Sequence, residues 1–286
     1  QGDSEFSAPV ISIRTQSVIP ASWAGRLSGI LSRSTGYDHI KAYLHECKSN
    51  IACGYLPLYC SRAVAEQAML LWISLLRKLP QQIGQFANFH RDGLTGYECE
   101  RKTLLVVGVG NVGYEVVRIG EGLGMKVLGV DIVKKHPSVS YIPIEEGIAQ
   151  ADVIVCAMNL TSENNGYFNY RMLKKAKQGS IFVNVARGEL SPSADLLLLL
   201  DEEHIRGIAL DVYNKESKLA VALRTGETSD DREIQATIAL SRRPNVIMTP
   251  HNAFNTHEAV DRKASQSVQQ LQHFFEHGSF LWTVPS

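Results

Sequence analysis

Thr103-Leu104-Leu105-Val106-Val107-Gly108-Val109-Gly110-Asn111-Val112-Gly113 is the stretch that decides the fold. An apolar run passes directly into glycines at 108, 110 and 113, and residues 112–123 continue with apolar side chains at helical spacing. In a strand–turn–helix of this kind the first glycine allows the tight turn. The second lets backbone approach a pyrophosphate, and the third lets the helix pack close on the strand. Phosphates then rest on the N–H groups at the helix N-terminus, where Asn111 and Val112 stand. Glycines alone only make turns; strand, helix and a later acid in register turn the spacing into a dinucleotide-binding signal. Asp131 is that acid, 18 residues past Gly113 at the end of the next apolar run. Its carboxylate can bind both ribose hydroxyls and repels a 2′-phosphate, which favours NAD over NADP; Lys134 and Lys135 soften that preference without reversing it.

Outward from this stretch, apolar runs recur at 103–109, 126–131, 152–158, 180–185, 207–212 and 245–250, separated by helix-like segments such as 193–200 after Pro192. Continuous apolar strands alternating with helices predict a parallel, doubly wound α/β sheet covered on both faces. Upstream, residues 62–78 read as one long helix stopped near Pro80, and 10–14, 29–32 and 51–54 as strands of a smaller unit. Downstream, 258–277 reads as a long helix placed to cross back onto that unit. The expected organisation is a dinucleotide domain over 61–254, inserted into a smaller domain built from 1–60 and 255–286. Residues 226–232 (GETSDDR) read as a surface loop.

Three residues near strand ends suggest chemistry. Arg187 follows the fourth run directly, and in an open α/β sheet ligands bind beyond the carboxyl ends of strands. A guanidinium there can hold a carboxylate by paired hydrogen bonds and polarise an adjacent carbonyl. Taken alone it reads equally as a helix cap or a surface ion-pair partner. His251 follows Thr249-Pro250 at the end of the last run, where imidazole is a natural proton donor near neutral pH. His45, His136, His204 and His277 read instead as exposed loop or helix residues. Glu216, five residues past Asp211, would favour imidazolium and fix the ring if it touched His251; otherwise it is a solvated loop acid beside Lys215 and Lys218. Asp211 ends its own strand and reads either as a contact to a nicotinamide carboxamide or as a strand-end cap.

Composition narrows the classes further. A chain of 286 residues with 44% apolar side chains can bury a substantial core, so global disorder is excluded. Lys+Arg and Asp+Glu both number 29, which leaves no net field to attract a nucleic-acid backbone or an anionic membrane. No apolar run reaches the roughly 20 residues of a bilayer span. Residues 1–5 lack the basic and apolar blocks of a signal peptide, and the leading Gln reads as the start of a trimmed or partial product. Five cysteines (Cys47, Cys53, Cys60, Cys99, Cys156) form no C-x-x-C pair, which suggests free thiols in a reducing cytoplasm and no metal.

Together the residues resemble the D-isomer-specific 2-hydroxyacid dehydrogenases, almost continuously from about residue 33 to 254. The resemblance rests on Ser34-Thr35-Gly36-Tyr37-Asp38, Ala63-Val64-Ala65-Glu66, the glycine fingerprint with Asp131, and Asn184-Val185-Ala186-Arg187-Gly188. It closes with Leu210-Asp211-Val212-Tyr213-Asn214-Lys215-Glu216 and Thr249-Pro250-His251-Asn252-Ala253-Phe254. It implies a Rossmann domain inserted into a flavodoxin-like substrate domain. It also implies reversible reduction of a 2-oxo acid by NADH, with Arg187, Glu216 and His251 as the reacting set. The D-lactate dehydrogenase branch is the nearest in detail. Pro57-Leu58-Tyr59 resembles its pocket segment, Phe254 its pocket aromatic, and Thr161-Ser162-Glu163-Asn164 its cofactor loop. By the same resemblance Met158, Asn159, Thr161, Val185, Ala186, Asp211, His251 and Ala253 line the cofactor. The turn at Arg14-Thr15-Gln16 is expected to offer backbone N–H groups to the substrate carboxylate, and a homodimer is expected through the region 63–79. Asn159 and Ser217 stand where the family usually has proline. Only 58 residues precede Tyr59, short of a complete flavodoxin-like domain, so the substrate lobe is expected to be reduced or missing its first elements. Corepressor-like NADH-binding scaffolds share this fold and these three residues, and are the alternative to an enzyme.

Overall fold

The computed structural model describes residues 8–15 and 17–285, which divide into two compact units, 61–253 and a smaller one formed by residues up to 60 with 254 onward. In chain order the elements are β1 (Val10–Ile13), β2 (Gly29–Ser32), α1 (Asp38–Cys47), β3 (Ala52–Gly54), α2 (Ser61–Leu76), α3 (Leu79–Gln85), β4 (Thr103–Val107), α4 (Asn111–Gly122), β5 (Lys126–Val130) and α5 (Ile144–Gln150). They continue with β6 (Val153–Cys156), α6 (Tyr170–Leu173), β7 (Ser180–Asn184), α7 (Ser193–Asp201), β8 (Ile205–Leu210), α8 (Glu216–Thr225), α9 (Arg232–Ser241), β9 (Val246–Met248) and α10 (His257–His277).

The larger unit is a six-stranded parallel sheet in the order β5-β4-β6-β7-β8-β9. A one-residue parallel bridge from Gly129 to Tyr141 extends it beyond β5. The strand order reverses at β4, between β5 and β6, which opens the crevice where doubly wound sheets take their ligands. Leu105, Ile154, Phe182, Ile208, Leu196 and Leu200 belong to one buried cluster of strand and helix side chains. Strands covered on both faces need this continuous apolar character, so β6 and β7 are buried at every position.

The smaller unit is a three-stranded parallel sheet, β1-β2-β3, with Ile13, Leu27, Ile30, Ile40, Tyr43 and Cys53 forming its core. Helix α10 returns to it. A Cβ on Gly29 would lie 2.7 Å from the Phe274 ring, and one on Gly54 would lie 2.5 Å from Phe280, so these glycines let the rings lie flat on β2 and β3. The buried Gln270 amide donates to the carbonyls of Tyr55 (2.7 Å) and Trp282 (3.0 Å), locking helix and tail to the sheet edge.

Several expected boundaries shift. Each strand of the large sheet ends one or two residues earlier than its apolar run, because the last residues bend into the turns at the carboxyl edge. The helix expected over 62–78 ends at Leu76, and α3 then takes Pro80 into its own first turn, where its missing N–H costs nothing. The 226–232 loop is real but one residue shorter: Gly226 caps α8 with φ of 71°, and α9 starts at Arg232. His136 and His204 are half-buried rather than exposed, and His136 stacks on Tyr114 with ring centroids 3.9 Å apart. Among the described residues no helix is long and apolar enough to cross a membrane.

Candidate active site

The turn after β4 shows why Gly108 and Gly113 are needed. Gly108 has φ of 91°, and a Cβ there would lie 2.4 Å from the Met158 backbone. A Cβ on Gly113 would lie 1.8 Å from the Gly108 carbonyl oxygen, so only glycine lets α4 start this close to β4. A Cβ on Gly110 would meet nothing within 4 Å: that position faces open space at the N-terminus of α4. The helix has no side-chain cap and no acid in its first turn, leaving positive backbone dipoles for an anion. Asp131 accepts hydrogen bonds from the N–H groups of Val109 (2.6 Å) and Val133 (2.9 Å), which fixes its carboxylate beside the glycine turn with acceptor capacity to spare. An open, acid-free helix start beside a fixed carboxylate fits the pyrophosphate and ribose of a dinucleotide.

The same edge carries the cofactor-loop residues. Asn164 closes the 159–164 loop by accepting from Thr161 N (2.8 Å) and donating to the Asn159 carbonyl (2.8 Å). Asn159 thereby keeps a defined loop shape without the proline usual there. Ser217 is the second residue of α8, where proline and serine are both accommodated.

Arg187, Glu216 and His251, widely separated in sequence, meet in the larger unit. His251 Nδ1 donates to Glu216 Oε2 at 2.9 Å, leaving Nε2 as the nitrogen turned to other partners. Burial alone would raise the Glu216 carboxyl, but the hydrogen bond and charge of His251, the Tyr213 N–H and the Arg187 charge together hold it below its ordinary value. Glu216 opens α8, and the preceding Lys215 has φ of 56° and is tied to Asp231 by an ion pair of 2.6 Å. The acid is therefore a built partner of His251, not a solvated loop residue.

Sequence reasoning missed how the turns are made. Buried Asn184 donates to the Arg187 carbonyl and to Ser191 Oγ, both at 2.8 Å, and accepts from Ala186 N at 2.9 Å. Gly188 brings this turn onto the next one, since a Cβ there would lie 1.9 Å from the Tyr213 carbonyl carbon. Beyond β9, His251 has φ of 50°, a left-handed conformation costly for a residue with a Cβ. Asp211, fully buried, holds that turn. It accepts from Thr249 Oγ1 (2.5 Å), Asn252 N (2.9 Å) and Ala253 N (2.9 Å). Burial raises the Asp211 carboxyl above its ordinary value, and these hydrogen bonds offset part of the rise. The buried Tyr213 hydroxyl lies 2.7 Å from the Thr249 carbonyl and 2.9 Å from that of Leu210, tying the same turn to β8. The signals in the sequence were an asparagine ending a buried strand, a glycine after the arginine, and Asp211 as a strand-end cap.

Of the residues expected on the substrate side, Arg14, Thr15, Tyr59 and Phe254 lie in the smaller unit. Tyr59 is buried and packs edge-on to Phe254 with centroids 6.3 Å apart. In the turn after β1 the Arg14 N–H donates to Ser17 Oγ at 3.1 Å, so it is already engaged; Thr15 follows in that turn, and Gln16 lies outside the described residues.

Comparison with known proteins gives the family. Residues 69–253 match the family model described as D-isomer specific 2-hydroxyacid dehydrogenase, NAD binding domain. The chain is 30% identical over 258 residues to a D-lactate dehydrogenase of Lactiplantibacillus plantarum, covering 88% of this chain and 76% of that one. It is 33% identical over 225 residues to an aromatic 2-oxoacid reductase of Clostridium sporogenes, covering 77% and 67%. In structure it resembles the D-lactate dehydrogenase of Aquifex aeolicus solved with NAD and lactic acid, with a TM-score of 0.87 at 26% identity over 99% of this chain and 91% of that one.

Proposed function

Since the chain belongs to the D-isomer specific 2-hydroxyacid dehydrogenases, enzymes that use NAD, we propose that it interconverts a 2-oxo acid and a D-2-hydroxy acid of the D-lactate type, with His251 as the acid–base group. The observation that carries this reading is the 2.9 Å hydrogen bond between His251 and Glu216 beside Arg187. When bound, NADH supplies the hydride that reaches the substrate carbonyl carbon. His251 gives its Nε2 proton to the carbonyl oxygen as charge develops there, and takes it back in the reverse direction. Glu216 accepts from His251 Nδ1 and fixes the ring with Nε2 free to face the substrate. Arg187 holds the substrate carboxylate through paired hydrogen bonds and stabilises the developing negative charge.

In the cofactor site the backbone of Gly108 to Gly113 would hold the pyrophosphate, and Asp131 the ribose. Met158, Asn159, Thr161, Val185, Ala186 and Ala253 would form the rest of the shell. Asp211 positions His251 by holding its turn, and its contact to the nicotinamide carboxamide is part of the same reading. Arg14, Thr15, Tyr59 and Phe254 would form the substrate side. Five free cysteines among the described residues support a reducing, cytoplasmic setting. A homodimer, expected through 63–79, finds most of that helix buried within the chain, so the exposed apolar side chains that support it are Leu79, at the end of that region, and Ile83, Phe86 and Phe89 beyond it; light scattering of the purified protein tests the assembly.

The deciding experiment is a panel of 2-oxo acids from glyoxylate to phenylpyruvate, assayed with NADH and NADPH. Reduction with NADH preferred is expected. Tight NADH binding with no acid reduced would overturn the reading.

A further inference from the structure

Helix α10 ends on two histidines whose rings are set for a metal ion. His273 and His277 stand four residues apart, so both project from one face of the helix. Their rings stack with centroids 4.3 Å apart and planes 22° from parallel. In each ring it is Nδ1 that meets the backbone. His273 Nδ1 lies 2.7 Å from the Ser279 carbonyl, and His277 Nδ1 lies 3.1 Å from the His273 carbonyl. A carbonyl oxygen can only accept, so both Nδ1 atoms carry a proton and donate it. In the neutral ring that leaves the lone pair on Nε2. His277 is exposed and His273 half-buried, so the pair stands at the surface of the smaller unit.

This is the state in which imidazole binds a metal. A ligating histidine almost always donates its other ring N–H to a carbonyl or carboxylate, which fixes both tautomer and orientation. Two bonds of about 2.0–2.1 Å at a tetrahedral angle set the nitrogens about 3.4 Å apart. Rings already 4.3 Å between centres reach that separation by a small rotation. The charges agree. Over its 21 residues α10 aligns its peptide dipoles and places negative partial charge on its last carbonyls, where a cation is favoured. No lysine or arginine stands in the last turn to supply that cation, and Glu276 adds a carboxylate with Oε2 3.9 Å from His277 Nδ1. Among the described residues no group of three or more His, Cys, Asp or Glu could hold a metal, so the pair would act as two ligands with the remaining positions open to water.

We propose that His273 and His277 form a surface site for a borderline transition-metal ion, Ni(II), Cu(II) or Zn(II), bound through their two Nε2 atoms. Mg(II), which demands oxygen ligands, would be rejected by a pair that offers only nitrogen. The site shares no residue with the proposed reaction, and its effect would be on stability. His273 already holds Ser279 across the Gly278 cap, and Phe280 stacks on Phe274 with centroids 4.5 Å apart. An ion on the pair would pin this turn and the tail that follows it to the helix.

The test titrates the full chain with Ni(II) in competition with a chromophoric chelator, in the wild type, His273→Gln and His277→Gln. The chain has nine histidines and five cysteines, so the difference between wild type and variants is the readout. Each variant is expected to weaken one Ni(II) equivalent by at least about 10-fold, since losing even an outer-shell partner of a ligand costs that much. Ni(II) should also raise the melting temperature of the wild type and of neither variant. X-ray absorption of the Ni(II)-loaded wild type needs no variant, and two imidazole nitrogens are expected in the shell. Unchanged titration in both variants overturns the site, as does a shell of thiolate or of oxygen alone. Loss in one variant only makes a single histidine the ligand and overturns the pair. Displacement of Ni(II) by an equal concentration of Mg(II) overturns the nitrogen site in favour of carboxylates.

Discussion

The turns after β7 and β9 deliver the two groups that would meet the substrate, and they are built in opposite ways. After β7 the backbone stays in ordinary extended conformation, with Arg187 at φ of −143°. The turn is placed by what is absent: Gly188 lacks the side chain that would collide with Tyr213, and Asn184 ties down the Arg187 carbonyl. After β9 the chain is held in a left-handed conformation at His251, which costs about 1–3 kcal/mol and persists only because Asp211 and Tyr213 grip the turn. The arginine turn is a matter of fit and the histidine turn a matter of restraint. A restrained turn fails when its holder is lost, while a fitted one fails when something is added.

The sharpest way to break the comparison removes the restrained group itself. His251→Ala is expected to lower reduction by about 10²- to 10⁴-fold while NADH affinity, read by fluorescence titration, stays nearly unchanged. Parallel loss of both would make the histidine structural. Arg187→Gln should cost about 10²- to 10³-fold, with KM for the oxo acid rising, because the paired carboxylate contact is gone. A kcat defect at unchanged KM would contradict a carboxylate-holding role.

Next come the holders. Asp211→Asn keeps the shape but replaces one accepting oxygen with an amide N–H donor, so at least one hydrogen bond to the His251 turn is lost. A stability loss of about 1–3 kcal/mol is expected in denaturant melts, accompanied by lower kcat. Gly188→Ala adds a methyl against backbone and should lose a similar amount by overpacking. If Gly188→Ala is silent, the arginine turn is not set by fit.

The smallest effect is in pH. Glu216→Gln removes the carboxylate that accepts from His251 Nδ1, and its mark is on the pH dependence of stability. Stability carries its own sign. The Glu216 carboxyl sits below its ordinary 4.5 in the fold, so its ionised form stabilises the protein above that pH, and the contribution fades as pH falls through the depressed value. The melting-temperature gap between wild type and Glu216→Gln should therefore be open at neutral pH and close toward acid.

Local pattern was enough for most of the larger unit, and the failures share a cause. Glycine spacing at 108, 110 and 113 and the acid at 131 are local signals, and the structure gives Gly108 and Gly113 a steric reason and Asp131 a hydrogen-bonding one. Helices α5, α6, α8 and α9 were not anticipated: they are short and bury few side chains, so their periodicity is weak. The residues proposed to react, Arg187, Glu216 and His251, are picked out in the sequence by their place after apolar runs. The work of Asn184, Gly188 and Tyr213 is not, and for Asp211 the strand-end cap is legible but its partners are not, because they lie in distant turns, such as Thr249, 38 residues on. His277 is an exposed helix residue, as expected, but the carbonyls that fix its ring and that of His273 come within reach only through the way α10 ends.

The larger unit is one uninterrupted length of chain from Ser61 to Ala253, and it contains Arg187, Glu216, His251 and the glycine turn, whereas Tyr59 and Phe254, proposed to face the substrate, belong to the flanking pieces. Inheritance can therefore treat the two separately. A lineage that drifts or recombines in the flanks can acquire a new diet of acids while the inserted block keeps the hydride-transfer apparatus unaltered. A gene for a new dehydrogenase then needs changes only outside the part that is hardest to build.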